Sequence, residues 1–293
     1  MIMVTGANGA LGGEIVTSLL KITTADNLVA SARDPQTMGE QQSMGIEIRQ
    51  VDYDDTNTLS TAFEGIQVLV LVPSAAPIEQ RMQQNRDVIA AAKASGVSRI
   101  VFISFMDVGE DSPLPYAKAF ADTEKALAES GVLFTNLRMA LYMDNFLDWP
   151  LFQVRNGSLS LAMGDARLAY VSRTDLADAA AAVALKGGHD GKTYDMTGPA
   201  SLSFDEVSAV LSEVRGETIR YNRITEEEHY ALAVATGMPE YLCKGSMGMV
   251  KTCKQGVFDR VTSHIENIIS HPPEDFLSFM TRYKDKKVKV KMS

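Results

Sequence analysis

MIMVTGANGALGG, residues 1–13, spaces three glycines, Gly6, Gly9 and Gly12, three residues apart directly behind a short apolar run. Glycine alone accounts for a tight turn, because it lacks a Cβ and tolerates positive φ, or for a helix packed close on a strand. The spacing G-x-x-G-x-x-G also differs from the G-x-G-x-x-G fingerprint of dinucleotide sites, so the motif by itself leaves both readings open. The flanking residues decide. Residues 2–5 are short, apolar and β-branched, as in a buried strand. From Leu11 the spacing becomes helical, through Ile15, Leu19 and Leu20, with Lys21 in the last turn. The glycines therefore sit where a strand becomes a helix. Unpaired N–H groups and the positive helix N-terminus there suit a pyrophosphate. A second strand, NLVASA (27–32), completes a βαβ unit of about thirty residues.

The residue after that second strand selects the dinucleotide. A carboxylate accepts from the ribose hydroxyls of NAD, and an arginine meets the 2′-phosphate of NADP. The sequence reads ASARDP (30–35), with Arg33 first and Asp34 next. NADP is the expected cofactor, NADPH preferred, and Asp34 leaves NADH possible.

At 293 residues the chain can bury a substantial core, and 45% hydrophobic with 22% charged residues is a globular composition. A net charge of −9 argues against nucleic acid as the main partner. No apolar run reaches the eighteen residues of a membrane span, and no leader is expected ahead of a strand that begins at residue 2. The expected compartment is the cytoplasm, where Cys243 and Cys253 stay reduced; ten residues apart, they match no common zinc or redox motif. His189, His229, His264 and His271 are scattered, so no metal site is expected.

Residues 1–138 alternate strands (46–51, 67–72, 99–104, 133–138) with helices (56–63, 79–94, 118–129), the pattern of a doubly wound parallel α/β sheet of Rossmann type. Such sheets bind ligands beyond the carboxyl ends of their strands. Residues 139–293 read as a smaller α/β substrate lobe interwoven with the end of the first unit. It holds a helix over 174–186 capped by Thr174 or Asp175, a strand over 193–197, and a helix opened by Ser203 with Glu206 three residues on and stopped by Gly216. A strand over 217–224 and a helix from Glu226 follow. The basic run KDKKVKVKMS from residue 284 is expected to be a solvated tail.

VTGANGALGG (4–13), ARDP (32–35), VDYDD (51–55) and TNLRMALYMDNF (135–146) together resemble the NmrA-like branch of atypical short-chain dehydrogenases. Within it the chain is most similar to the bacterial NAD(P)H:quinone oxidoreductase type 2 and triphenylmethane reductase group. The likeness continues through YVSRTDLADAAAAV (170–183), GKTYDMTG (191–198) and LSFDEVSAVLSEVRG (202–216), and fades after about Gly237. The resemblance implies that Gly6, Ala7, Asn8, Gly9, Ala10 and Leu11 hold the pyrophosphate and that Arg33 meets the 2′-phosphate. It places Asp52 and Tyr53 near the adenine, and Pro73, Ser74 and Ala75 on the route to the nicotinamide. Read from the residues alone, the alternative for Asp52 is a helix or turn cap ahead of Thr56.

The chain departs from typical short-chain dehydrogenases at their Tyr-x-x-x-Lys pair, whose lysine lowers the tyrosine pKa so that it serves as general acid. Tyr116 is followed four residues on by Phe120, Lys118 is at the wrong offset, and Ser104 ends its strand without that partner. A quinone or a cationic dye is already electrophilic, so orientation against the nicotinamide can supply most of the catalysis. No essential side-chain acid, flavin or metal is expected. Tyr142 and Phe146, one helical turn apart if helical, are candidates to stack a flat aromatic substrate, and Met139 stands where the family leads one to expect asparagine. The leading reading is an NAD(P)H-dependent reductase of quinones or related electron-poor aromatics, acting as a monomer or homodimer. The alternative is an NADP-sensing regulator without turnover.

Overall fold

Short apolar strands covered on both faces pair in parallel, because helices return the chain to the same end of the sheet each time. The computed structural model describes residues 1–109 and 111–284; the residues of the basic tail beyond 284 lie outside this range. The first unit runs β1 (Ile2–Val4), α1 (Ala10–Leu20), β2 (Leu28–Ala32), α2 (Gly39–Ser43), β3 (Glu47–Gln50), α3 (Thr56–Ala62) and β4 (Val68–Leu71). It continues with α4 (Ile78–Ala94), β5 (Arg99–Phe105), α5 (Ala117–Ser130) and β6 (Leu133–Met139).

Then the chain leaves the sheet. It forms α6 (Asn145–Asp148), β7 (Ser158–Leu161) and β8 (Arg167–Leu168) before returning through α7 (Arg173–Leu185) and β9 (Lys192–Met196). The sheet order is β3-β2-β1-β4-β5-β6-β9, so α7 and β9 complete the unit that the alternating pattern over 1–138 begins. Nine of the thirteen α7 residues are buried, and its run of alanines lets the helix lie close to α1 and the sheet. Its cap is Ser172, whose Oγ accepts the Asp175 N–H at 3.0 Å, not Thr174 or Asp175 as the sequence suggests. Asp175 instead turns its carboxylate back to the Ser172 hydroxyl.

The lobe follows, with β10 (Leu202–Ser203), α8 (Phe204–Arg215), β11 (Arg220–Arg223), α9 (Glu226–Ala235), α10 (Glu240–Lys254), α11 (His264–Ile269) and α12 (Phe276–Arg282). Reciprocal capping boxes open α8 (Ser203 with Glu206) and α9 (Thr225 with Glu228). β11 pairs in parallel with β7, and β10 pairs antiparallel with β8.

His229 of α9 is 1% exposed. Its Nδ1 accepts the Ala162 N–H at 3.3 Å, so the ring proton sits on Nε2, which is enclosed without a partner among the described residues. Burial pulls its pKa down to about 4. The unfolded chain takes up that proton near the ordinary value of about 6.5, so this stabilisation is complete above about pH 6.5 and is lost as pH falls toward 4. Thermal unfolding should show Tm falling across that window, and His229→Asn, which keeps an acceptor but does not titrate, should flatten the fall. An identical Tm–pH slope in the variant would remove His229 as its cause.

Candidate functional site

β1 lies inside the sheet, between β2 and the central strand β4. The chain winds outward to β3 on one side and then reverses to β4 on the other, and a crevice opens beyond strand ends where the order reverses. A cleft of about 830 Å³ lies there. Its floor is the glycine turn. Gly6 has φ +60°, and a Cβ on Gly12 would lie 2.3 Å from the Gly6 carbonyl oxygen. The helix therefore starts in contact with the turn that precedes it. Gly9 caps α1 without any side-chain hydrogen bond, which leaves the first amides of the helix directed at the cleft with no intrahelical acceptor. This cradle suits a pyrophosphate, which binds such amides and the positive end of the helix.

The cleft and the region beside it beyond β5 differ in chemistry. On the β2 side, Arg33 is exposed at the rim and makes no ion pair among the described residues. Asp34 is engaged otherwise: its Oδ1 accepts the Gln36 N–H at 3.0 Å and caps a short 3₁₀ turn. Asn8 Nδ2 bonds Thr37 Oγ1 at 3.3 Å and so ties the glycine turn to this segment. Asp52 lines the cleft and also closes a local turn, accepting the Asp54 N–H at 3.1 Å. Tyr53 spans the strand ends by donating to the Val72 carbonyl at 2.9 Å, and burial pushes its pKa up.

Of the cofactor residues expected from the sequence, all line the cleft except Ala7. Ala7 is buried behind the turn, with its N–H on the Ser31 carbonyl at 2.9 Å. Sequence reasoning missed Asp54, Gln80 and Gln84. Asp54 Oδ1 receives Gln80 Nε2 at 2.8 Å and Gln84 Nε2 at 2.7 Å, bonds that hold its pKa down. Gln84 Oε1 in turn accepts the Ser74 hydroxyl at 2.5 Å. The signal for this clamp was present as two glutamines four apart, on one face of α4.

On the β5 side, no general acid is assembled from the positions short-chain dehydrogenases use. Ser104 donates to Glu124 Oε1 at 2.6 Å, and Glu124 is held by Arg138 through Nε (2.9 Å) and Nη2 (2.6 Å). Burial pushes the Tyr116 hydroxyl up to about 12, although the Arg81 guanidinium opposes the shift. That hydroxyl abuts Gly245 of α10, where a Cβ would come within 1.9 Å of it. Lys118 is exposed and meets Glu79 at 3.4 Å.

The aromatic pair expected on one helix is split. Tyr142 precedes α6 and bridges to Val171, whereas Phe146 belongs to α6. Phe146 is 2% exposed, with the rings of Phe152, Tyr170 and Phe276 at 4.9, 5.3 and 5.0 Å. Its faces and edges are occupied by core aromatics, so it is not available to stack a substrate. Tyr142 is half-buried, donates to Met139 Sδ at 2.6 Å, and lies under the Arg173 guanidinium at 5.2 Å. Among the described residues no cluster of His, Cys, Asp or Glu could hold a metal, and no helix is long and apolar enough to cross a membrane.

A glycine cradle at the switch point of a seven-stranded parallel sheet, beside a rim arginine, defines a Rossmann-type dinucleotide-binding protein. Residues 6–186 match the NAD(P)H-binding family, and the chain belongs to it. It is 35% identical to quinone oxidoreductase 2 of Escherichia coli K12, over 93% of this chain and 94% of that protein. The crystal structure of the NADPH-dependent quinone oxidoreductase of Escherichia coli complexed with NADPH superimposes with a TM-score of 0.90 at 32% identity, covering 96% of this chain and 99% of that one. The NADP(H) complex of Citrobacter sp. triphenylmethane reductase superimposes with a TM-score of 0.89 at 27% identity, with the same coverage. These relatives agree with the resemblance read from the sequence.

Proposed function

We propose that this protein is an NADPH-preferring reductase that passes hydride directly to quinones or related electron-poor aromatic compounds. The observation that carries the reading is the region beyond β5, beside the cleft, where Ser104 is consumed by Glu124 and Tyr116 is a weakened acid packed under α10. An alcohol–ketone reaction needs a proton donor there. A quinone or a cationic dye does not, because hydride addition to an electrophilic acceptor can precede protonation by water. The names of the relatives, a quinone oxidoreductase and a triphenylmethane reductase, support the same substrate class. When bound, the dihydronicotinamide supplies the hydride. The chain seats the pyrophosphate on Gly6–Gly12 amides, takes the 2′-phosphate at Arg33, and holds the nicotinamide route at Pro73, Ser74 and Ala75, with Ser74 fixed through Gln84. Tyr142 is the aromatic face offered to the acceptor, and Phe146 supports its segment from the core.

The test is NADPH oxidation against a panel of quinones, triphenylmethane dyes and nitroaromatics. Turnover with at least one is expected, and none with any would favour an NADP-binding sensor. Tyr116→Phe and Lys118→Ala should each change kcat by less than about tenfold, under about 1.4 kcal/mol of barrier. A general acid is worth about 10²–10⁴-fold, so a thousandfold loss in Tyr116→Phe would restore acid catalysis to that hydroxyl.

A further inference from the structure

Among the described residues Arg81 is a cation without an ion-pair partner. It sits in the first turn of α4, on the helix that also contributes Pro77, Gln80 and Gln84 to the cleft. Its Nη2 donates to the carbonyl of Ala76, a cleft-lining residue, at 3.2 Å. Its Nε is enclosed without a partner, and Nη1 carries no hydrogen bond among the described residues. The guanidinium lies over the rings of Tyr116 and Phe120 at 6.0 and 5.9 Å. Among the described residues, the titratable groups acting on it are the Tyr116 and Tyr241 hydroxyls.

This placement is costly within the chain alone. A half-desolvated guanidinium calls for a counter-charge, and the N-terminal turn of a helix is the unfavourable end for a cation. The aromatic rings offset only part of this. The position also has a meaning in the sheet. Tyr116 and Phe120 belong to the segment after β5, on the opposite side of the switch point from Arg33 and Asp52. The second half of such a sheet receives the nicotinamide part of a dinucleotide, and Arg81, which does not itself line the cleft, stands on that side directly behind the cleft-lining Ala76.

We propose that Arg81 stabilises the negative charge that hydride addition creates on a quinone oxygen, so that neutral carbonyl acceptors are preferred over cationic dyes. The inference rests on the reductase reading above. In the step, the C–H bond of the dihydronicotinamide breaks and its two electrons and hydrogen form an O–H bond at one quinone oxygen. The cofactor is oxidised, the other quinone oxygen becomes a phenolate, and water later protonates it. Arg81 meets that phenolate with a charge that does not titrate in the working range. A triphenylmethane cation becomes neutral on taking hydride, develops no negative charge, and is repelled beforehand by the same guanidinium.

Arg81→Met and Arg81→Lys should be compared in steady-state kinetics with a neutral naphthoquinone and a cationic triphenylmethane dye, with NADPH affinity measured alongside. Arg81→Met should lower kcat/KM for the quinone by about 10- to 100-fold, the range for a charged hydrogen bond, raise it for the dye, and leave NADPH affinity unaltered. Arg81→Lys should recover most of the quinone loss. A second measurement needs no turnover: calorimetric titration of 2-hydroxy-1,4-naphthoquinone, ionised at neutral pH, into the NADP⁺-loaded protein should weaken about tenfold in Arg81→Met and little in Arg81→Lys. Arg81→Gln, which keeps an amide for the Ala76 carbonyl, serves as the uncharged variant if Arg81→Met does not fold. Equal losses for both acceptors at intact NADPH affinity, or no change in either, would overturn the proposal. If the unmodified protein reduces no acceptor, the reductase reading fails, and the titration still decides for or against Arg81.

Discussion

Gly12→Ala is expected to lower NADPH affinity by about 100-fold or more, as the loss of even one or two charge-assisted amide contacts implies. The added methyl carbon would lie 2.3 Å from the Gly6 oxygen, 2.7 Å from the Gly6 carbonyl carbon and 2.9 Å from the Ala7 Cα. All three are backbone atoms, so no rotamer change can relieve the contact. The start of α1 must move off the turn, and the amides that face the cleft move with it. Overpacking of this kind also costs about 1–3 kcal/mol of stability, visible as a lower Tm. Gly13→Ala is the control one residue on, where the new Cβ would stand 3.3 Å from the Ala7 oxygen and 4.0 Å from the flexible Gln41 side chain. Calorimetric titration with NADPH measures both variants. Normal binding by Gly12→Ala would mean that the glycine turn is structural only.

Arg33→Ala should separate the two nicotinamide cofactors. Its guanidinium stands at the cleft rim with no ion pair among the described residues, and the neighbouring Asp34 carboxylate is occupied by the Gln36 N–H. An arginine so placed can grip a phosphate through two parallel hydrogen bonds. The variant should lose about 1.5–3 kcal/mol of NADPH binding, roughly a 10- to 150-fold change, and leave NADH nearly unaltered. The NADPH loss should shrink as salt is raised, because the contact is exposed. Equal losses for both cofactors would assign the 2′-phosphate to some other group.

The cofactor half of the site was legible before the fold was known, because its information is local. The βαβ unit, the glycine turn and the residue after β2 all follow from neighbours within a few turns of chain. The capping box at Ser203 and Glu206 was legible for the same reason. The cap of α7 was misplaced by two residues because Ser172, Thr174 and Asp175 are all good N-cap types, and packing against the sheet chose among them. The clamp at Asp54 joins residues up to thirty positions apart: Gln80 and Gln84 mark one face of α4 by their spacing, but nothing local names Asp54 as their partner.

The acceptor half was legible only in residue type. Tyr142 and Phe146 carry equal apolar weight in the sequence, and an aromatic ring left partly exposed cannot be told from one that fills a core by pattern alone. The tertiary structure separated them by surrounding Phe146 with three rings and leaving Tyr142 half-buried. Ser104 was correctly placed at a strand end, but its neutralisation by Glu124 and Arg138 depends on α5 crossing behind β5 and β6. The sequence by itself determined the parallel sheet, the glycine turn at the start of α1 and the arginine after β2, since hydrophobic period, turn chemistry and strand–helix alternation are short-range properties. Only the tertiary structure decided that α7 and β9 rejoin the first sheet, and that Arg81 stands beside two rings without a carboxylate partner among the described residues. Burial and charge compensation are sums over neighbours from distant parts of the chain, and those neighbours exist only once the fold has brought them together.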